Sequence, residues 1–312
     1  MKVVIYENYG PPENLQIKEI EKPSPEDNEV LIKVYGTTVH RGDVRMRSLN
    51  VPGPKVAYIF ARLYLGIFKP RKKILGMELS GKIEAIGKDV TKFKEGDEVF
   101  ASTVHSGLGA YSEYKCMDEN GLILIKPKNL SFKESAALPC GGYTALGIMK
   151  KANIKAGEKV LIYGASGSVG TFAVQIAKSL GAEVTGVCSS SNLEIVKSLG
   201  ATKVIDYTKE DFSKNNEKYD IIFDAVDKIP LKKMKESLKN NGIYLNVHKD
   251  SSGLKAKDSI LLLEELKKLV EEGEIKPVID KVYYMNQIVE AHKYVDKEHK
   301  KGNVVISVVQ DK

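Results

Sequence analysis

The chain has 312 residues, 42% of them apolar and 29% charged, with 48 Lys and Arg against 41 Asp and Glu for a net charge of +7. That length suits two domains and a core able to fold without disulfide or metal staples, and the apolar content excludes a disordered chain. The positive charge reads as widely spread and gives no reason to expect a nucleic-acid partner. In chain order, short β-rich stretches at 3–6, 29–34, 79–86 and 98–101 come first. Pro11-Pro12, Pro23, Pro25, Gly87 and Gly96-Asp97 punctuate them, which predicts a compact β-barrel-like domain. Within it, KVAYIFARLYLGIFKP at 55–70 is rich in aromatics and runs into a Lys/Arg cluster at 69–73. A helix packed on the barrel, an apolar lid and a membrane-surface contact are all open readings of it.

At about residue 129 the rhythm changes. Ser131 with Glu134 three residues on is a capping box, and 136–151 carries helical apolar spacing. Strands at 159–163, 183–188, 203–205, 220–225 and 242–247 then alternate with helices at 169–180, 192–199 and 231–239. The strands are continuous apolar runs, as expected when helices cover both sheet faces, so this part predicts a doubly wound parallel α/β domain. A helix from Ser259, one at 287–295 and a final strand at 304–309 complete the chain. Only 249–258 is available between the fifth strand and the helix from Ser259, too short for a helix and a full sixth strand.

The strand KVLIY runs into Gly164-Ala165-Ser166-Gly167-Ser168-Val169-Gly170 and then a helix. Glycines permit the tight turn and the close approach of backbone amides, and the helix start favours an anion, so the loop predicts a dinucleotide diphosphate site. The spacing G-x-x-G-x-x-G is moderately specific alone and gains from its strand–turn–helix setting. The second strand ends in Cys188-Ser189-Ser190-Ser191-Asn192, where an NAD site usually carries Asp or Glu. Hydroxyls and amides can donate to a 2′-phosphate that a carboxylate would repel, so the expected cofactor is NADPH rather than NADH. The same residues could simply cap the next helix.

Cys116, Cys140 and Cys188 are isolated, with no C-x-x-C, which excludes a four-cysteine zinc lobe and fits a reducing compartment. The start MKVVIYENYG lacks the pattern of a secretory signal, and no stretch is long and apolar enough for an integral membrane segment, so a cytoplasmic protein is expected.

At this point the chain resembles the medium-chain dehydrogenase/reductases, in their zinc-free quinone oxidoreductase-like branch. The residues that carry the resemblance are GMELSGKIEAIGKDVTKFKEGDEVF at 76–100, LGAYSEY at 108–114, NLSFKESAALPCGGYTAL at 129–146, the glycine loop and its helix through 192, VIDYT at 204–208 and KKGNVVI at 300–306. The resemblance implies a discontinuous GroES-like β-barrel catalytic domain from 1–128 and 273–312, with a Rossmann NADPH-binding domain at 129–272 between. Substrate and nicotinamide would meet in the cleft. It implies that Thr144 lies near the nicotinamide, that Gly164, Ser166, Gly167, Ser168 and Val169 form the diphosphate loop, and that Ser189 and Asn192 face the 2′-phosphate. Tyr207 would meet the adenosine, Asp224, Ala225 and Val226 the ribose side, and Gly302 and Asn303 the cofactor from the returning segment. Relatives often have a sixth strand that pairs across a dimer. Its shortening here leaves monomer or homodimer open.

Zinc alcohol dehydrogenases of the wider family carry Cys in a V-C-H-T-D stretch and His in G-H-E. Here those stretches read Val39-His40-Arg41-Gly42-Asp43 and Gly76-Met77-Glu78. A thioether is a poor zinc ligand and a catalytic zinc needs three protein ligands, so no metal is expected. His40 is then the candidate catalytic group, a hydrogen-bond or proton donor with an ordinary pKa near the working range, and Asp43 orients its loop; a histidine that caps a turn and points to solvent is the other reading of His40. The expected activity is hydride transfer from NADPH to a quinone or α,β-unsaturated carbonyl, with a small hydrophobic carbonyl compound as substrate. A zinc-type alcohol dehydrogenase and a non-catalytic NADPH-binding sensor or interaction protein are the alternatives.

Overall fold

The computed structural model describes residues 1–50, 55–251 and 256–309. The chain divides into two compact units, one of Met1–Cys140 with Ile279–Lys312 and one of Gly141–Val278. The break at 140/141 falls later than the change of sequence rhythm at 129. The reason is local: Phe132 stacks on Tyr35 with ring centroids 4.4 Å apart, and the Cys140 amide donates to Glu78 Oε2 at 2.7 Å. The second break at 278/279 likewise falls six residues after the expected 272/273.

The first unit opens with an antiparallel pair, β1 (Lys2–Tyr6) and β2 (Leu15–Glu19). The long β3 (Glu29–Thr38) follows, then helices α1 (Arg41–Ser48) and α2 (Lys55–Leu65), and strands β4 (Glu78–Ile86), β5 (Glu98–Ser102), β6 (Tyr114–Asp118) and β7 (Ile123–Ile125). The short α3 (Phe132–Ala136) starts at the expected capping box, with Ser131 accepting from the Glu134 amide and Glu134 accepting in return. Helical spacing across 136–151 resolves into α3 and a separate α4 (Pro139–Ala152). Proline disfavours helical geometry at the residue before it, which breaks the run at Leu138.

In the second unit, β8 (Lys159–Tyr163), α5 (Ser168–Ser179), β9 (Glu183–Cys188), α6 (Leu193–Ser198), β10 (Lys203–Asp206), β11 (Tyr219–Asp224), α7 (Leu231–Ser237), β12 (Leu238–Asn246), α8 (Val247–Ser251) and α9 (Ala256–Glu271) alternate. The five strands are all parallel, in the order β10-β9-β8-β11-β12. The chain therefore runs outward from β8 to β10, then returns to the other side of β8. That reversal lies between β8 and β11, the place where doubly wound sheets bind ligands at the strands' carboxyl ends. Val160, Leu161, Ile162, Ile221, Ile222 and Phe223 are buried, which accounts for the continuous apolar runs. Among the described residues no sixth strand follows β12.

The chain returns to the first unit with β13 (Ile279–Tyr284), α10 (Ile288–Asp296) and β14 (Asn303–Ser307). β14 pairs with residues 36–38 of β3 and β6 with residues 29–33, so the two share one edge of β3 end to end. β3 pairs with β4 on its other side, and β4, β5 and β7 continue the sheet. Val30, Ile32, Val34, Leu79, Ile83 and Val99 form one core of this unit; Tyr6, Leu75, Tyr111, Ile288 and Val304 belong to another.

Candidate functional site

In the second unit the expected cofactor residues other than Thr144 lie at or just past the carboxyl ends of parallel strands. After Tyr163 the chain turns at Gly164, whose φ of +79° suits glycine, and the Gly167 amide donates to the Gly164 carbonyl at 3.1 Å. Gly167 is the N-cap of α5 and brings no capping side chain. The first-turn amides of a helix have no partner within the helix itself, so they point at whatever lies before it. The glycines serve two purposes. A Cβ on Gly170 would sit 2.1 Å from the Gly164 carbonyl oxygen, so this glycine lets α5 pack on the turn. A Cβ on Gly167 would meet only that oxygen, at 3.4 Å, so this glycine leaves its open side free for a ligand. Ser168 is buried and Val169 half-buried at the start of α5. These observations fit a dinucleotide diphosphate.

The end of β9 is tied to this loop. Asn192 is buried, and its Nδ2 donates to Ser166 Oγ at 3.0 Å and to Ser189 Oγ at 3.1 Å. Ser189 and Asn192 stand at the N-caps of the helical turns that follow them, but neither makes a side-chain capping bond, so their side chains are not spent on the helix ends. The sequence also led us to expect no carboxylate here, and the structure corrects that. Asp206, at the end of β10, accepts hydrogen bonds from Ser190 Oγ and, at 2.7 Å, from Thr208 Oγ1. Those bonds hold its carboxyl below the usual range. Asp206 is buried, however, while Ser190 and Ser191 are exposed and Ser189 is half-buried. Beside them Tyr207 is half-exposed, its ring centroid 6.3 Å from that of Tyr163. Both line a cavity of about 600 Å³ with Phe212, Pro230 and Lys233. Asp224 is fully buried and accepts from the amides of Val226 (3.1 Å), Lys228 (2.8 Å) and Ile229 (2.7 Å). It therefore shapes the loop that carries Ala225 and Val226, and the Ala225 amide donates to the Tyr163 carbonyl at 3.0 Å. Thr144 is half-buried on α4.

The first unit holds a separate polar cluster. His40 is the N-cap of α1, and its Nδ1 accepts from the Gly42 amide at 3.1 Å. A neutral imidazole bonded this way keeps its proton on Nε2, which makes that nitrogen a donor. The expectation of an ordinary pKa near the working range does not hold: burial, with the nearby Lys300 and Arg45 cations, pushes it down to about 3. Asp43 completes the capping box by accepting from the His40 amide at 3.0 Å, and it also accepts from the Gly76 amide at 2.9 Å. It is fully buried, and burial pushes its carboxyl up to about 7. Its bonds fix the His40 loop against Gly76.

Sequence reasoning missed two members of this cluster. Lys300 lies close enough to His40 and Glu78 to shift or be shifted by them, and its Nζ donates to the Gly302 carbonyl. Burial pushes its ammonium down to about 8. Cys140 is buried, with Sγ 3.4 Å from the Met77 carbonyl oxygen. Both sat inside stretches already singled out, KKGNVVI and LPCGG, but a lysine or cysteine alone carries no spacing signal. Glu78 is buried too, accepting from Thr38 Oγ1 and the Cys140 amide, and burial raises its pKa. Gly302 has φ +58°, and Asn303 is buried at the start of β14.

The donors here do not suit zinc. Met77 offers a thioether, burial and the Glu78 charge keep the Cys140 thiol protonated, and His40 Nδ1 is already occupied. Among the described residues no three His, Cys, Asp or Glu side chains converge as metal ligands.

Comparison with known proteins places these features in a family. Residues 26–127 match the alcohol dehydrogenase GroES-like domain, 199–306 the zinc-binding dehydrogenase family, and 138–241 the alanine dehydrogenase/PNT C-terminal domain. A 2-methylene-furan-3-one reductase of Solanum lycopersicum is 31% identical over 98% of this chain and 79% of its own length. The chain belongs to the medium-chain dehydrogenase/reductase family. It is an oxidoreductase of the quinone oxidoreductase-like branch, with a GroES-like domain, a Rossmann domain and a nicotinamide cofactor. The chloroplastic NADPH-dependent alkenal/one oxidoreductase of Arabidopsis thaliana is 30% identical, again over 98% of this chain and 79% of that one. Among solved structures, the quinone oxidoreductase from Coxiella burnetii superposes with a TM-score of 0.85 at 28% identity, covering 99% of both chains. No helix among the described residues of this oxidoreductase is long and apolar enough to cross a membrane.

Proposed function

We propose that this oxidoreductase is an NADPH-dependent reductase of small hydrophobic enones or quinones that works without a metal ion. The observation that carries the cofactor reading is the open Gly167 loop beside hydroxyl groups, with Asp206, the nearby carboxylate, buried and already bonded. The amides of Ser168 and Val169 hold the diphosphate on the open side of Gly167, on a turn shaped by Gly164 and Ser166. Ser189 and the Ser166-bound amide of Asn192 face the 2′-phosphate, and Tyr207 bounds the adenosine cavity. Asp224 holds Ala225 and Val226 along the ribose, and Thr144, Gly302 and Asn303 complete the cofactor contacts. The tomato and Arabidopsis relatives, named for a methylene-furanone and for alkenals and alkenones, support an alkene conjugated to a carbonyl as the substrate.

Bound NADPH supplies the hydride. The chain must then meet the charge that builds on the substrate's carbonyl oxygen. In this reading His40 donates from Nε2–H, Lys300 adds its positive charge, and Asp43 is a positioning residue for the His40 loop. A neutral His40 stabilises the enolate by hydrogen bonding, and the proton that completes reduction at carbon comes from solvent. The free Cys116, Cys140 and Cys188 accord with a reducing cytoplasm.

The test is NADPH consumption with a panel of quinones, enones and simple aldehydes, on protein whose metal content is measured after dialysis. Turnover of enones or quinones by metal-free protein is expected. NADPH binding without turnover on the panel would leave a sensor in place of an enzyme, and stoichiometric zinc would overturn the metal-free mechanism.

A further inference from the structure

The net charge of +7 is unevenly distributed rather than widely spread. Residues 44–77 contain eight Lys and Arg and no Asp or Glu, while the other 40 basic residues face all 41 acidic ones elsewhere in the chain. The same stretch holds α2 and the turn after it, where seven large apolar side chains, Tyr58, Ile59, Phe60, Leu63, Tyr64, Ile67 and Phe68, are exposed. Phe60 (66% exposed), Tyr64 (79%) and Phe68 (88%) stand four residues apart. On α2 that interval places Phe60 and Tyr64 on one side of the helix, and Phe68 lies in the turn beyond its end at Leu65.

The base of this element is held firmly. Tyr9 Oη donates to the Gly66 carbonyl at 3.0 Å, the Arg71 amide donates to the Leu65 carbonyl at 2.8 Å, and Arg62 donates to the Ile67 carbonyl. Arg62 also lies 5.9 Å from the Tyr9 ring centroid. Lys69, Arg71, Lys72 and Lys73 are exposed just past the apolar side chains. Lys69 and Lys73 help hold the Glu7 carboxylate low, but that carboxylate is hydrogen-bonded to Lys18 and exposed, so it does not cover them.

We propose that Tyr58–Lys73 is a peripheral docking element for an anionic lipid surface, with the aromatic side chains entering the headgroup–acyl boundary and the basic cluster facing lipid phosphates. The charge complementarity decides the occupant. A second copy of this chain would bring two acid-free basic stretches together, and an apolar substrate would leave four cations without a role. Aromatic and aliphatic side chains beside Lys and Arg are what an interfacial element needs, and each cation near an anionic leaflet raises binding about fivefold. The proposal is independent of the reductase reading.

The chain contains no tryptophan, so Phe68→Trp supplies a single reporter. With vesicles of phosphatidylcholine containing about 30% phosphatidylglycerol, its fluorescence is expected to shift to the blue, and the protein to cosediment with the vesicles. Vesicles of phosphatidylcholine alone should bind at least tenfold more weakly. Lys72→Gln should weaken binding about fivefold, and Phe60→Ser with Phe68→Ser at least tenfold, circular dichroism confirming that each variant is folded. Phe68→Ser alone gives the same reading if the double variant unfolds. No blue shift, equal binding to both vesicle types, or binding unchanged in the folded Phe68→Ser variant overturns the proposal. So does a blue shift that grows with protein concentration in the absence of vesicles, which would show a second copy on this face.

Discussion

Gly167 and Gly170 lie three residues apart in one loop, and the structure assigns them different duties. At Gly170 a methyl group would have to clear the Gly164 carbonyl oxygen from 2.1 Å and the Ala165 Cα from 2.9 Å. Contacts of about 3.4 Å require that backbone to move by more than 1 Å, and both atoms belong to the turn itself. Overpacking of this kind costs about 1–3 kcal/mol, or about 2–10 °C in Tm for a protein of this class. At Gly167 the same methyl group meets one atom at 3.4 Å, and φ is −78°. The remaining cost is that of alanine at an N-cap, at most about 1 kcal/mol. That methyl group would stand where a diphosphate oxygen must approach the amides, and loss of one charge-assisted hydrogen bond, about 1.5–3 kcal/mol, weakens binding about 10- to 100-fold. Gly167→Ala should therefore stay close to wild type in thermal unfolding and lose NADPH affinity by isothermal titration, whereas Gly170→Ala should lose stability first. A Gly167→Ala protein that binds NADPH as tightly as wild type would refute the cradle.

Other expectations follow from the same geometry. Ser189→Asp places a carboxylate where the 2′-phosphate is read, so NADPH affinity should fall at least tenfold while NADH changes little; equal losses would remove Ser189 from that role. His40→Ala should lower kcat about 100-fold and leave the NADPH Kd unchanged, as expected of an oxyanion donor, and unchanged kcat across the panel would retire it. Lys300 is cationic below about pH 8, so kcat should hold below that pH and fall above it, and Lys300→Met should lower the plateau and remove the decline. His292 is fully buried and pushed down to about 3 by burial and Arg47. Its unfolded value is near 6.5, so the unfolded chain binds the extra proton between about pH 6.5 and 3, and stability is lost as pH falls through that window, by up to about 4 kcal/mol. His292→Gln should flatten this slope by about one proton in urea titrations, and an unchanged slope would show that the ring is reached by water.

How much of this could be read from residues alone depended on whether the signal was local. The buried strands announced themselves as unbroken apolar runs, and the capping box at Ser131 and the turn at Gly164 need only neighbours in sequence. The cluster of His40, Glu78, Cys140 and Lys300 is assembled from four distant stretches, so only the first two drew attention. Asp206 was passed over because it belongs to the strand after the one that usually carries the selecting acid. The pKa of His40 was misjudged for a similar reason. Its shift comes from burial and from Lys300, 260 positions away in the chain.

The open side of β12 has a further consequence. Beyond Leu238–Asn246 no strand among the described residues covers the ladder, and an uncovered row of amides and carbonyls is a template for unwanted pairing. Here the first half of that row carries exposed Lys239, Asn240 and Asn241, while apolar Ile243–Leu245 spans only three residues. Polar side chains at one end and brevity at the other leave little on this side for another chain to template on.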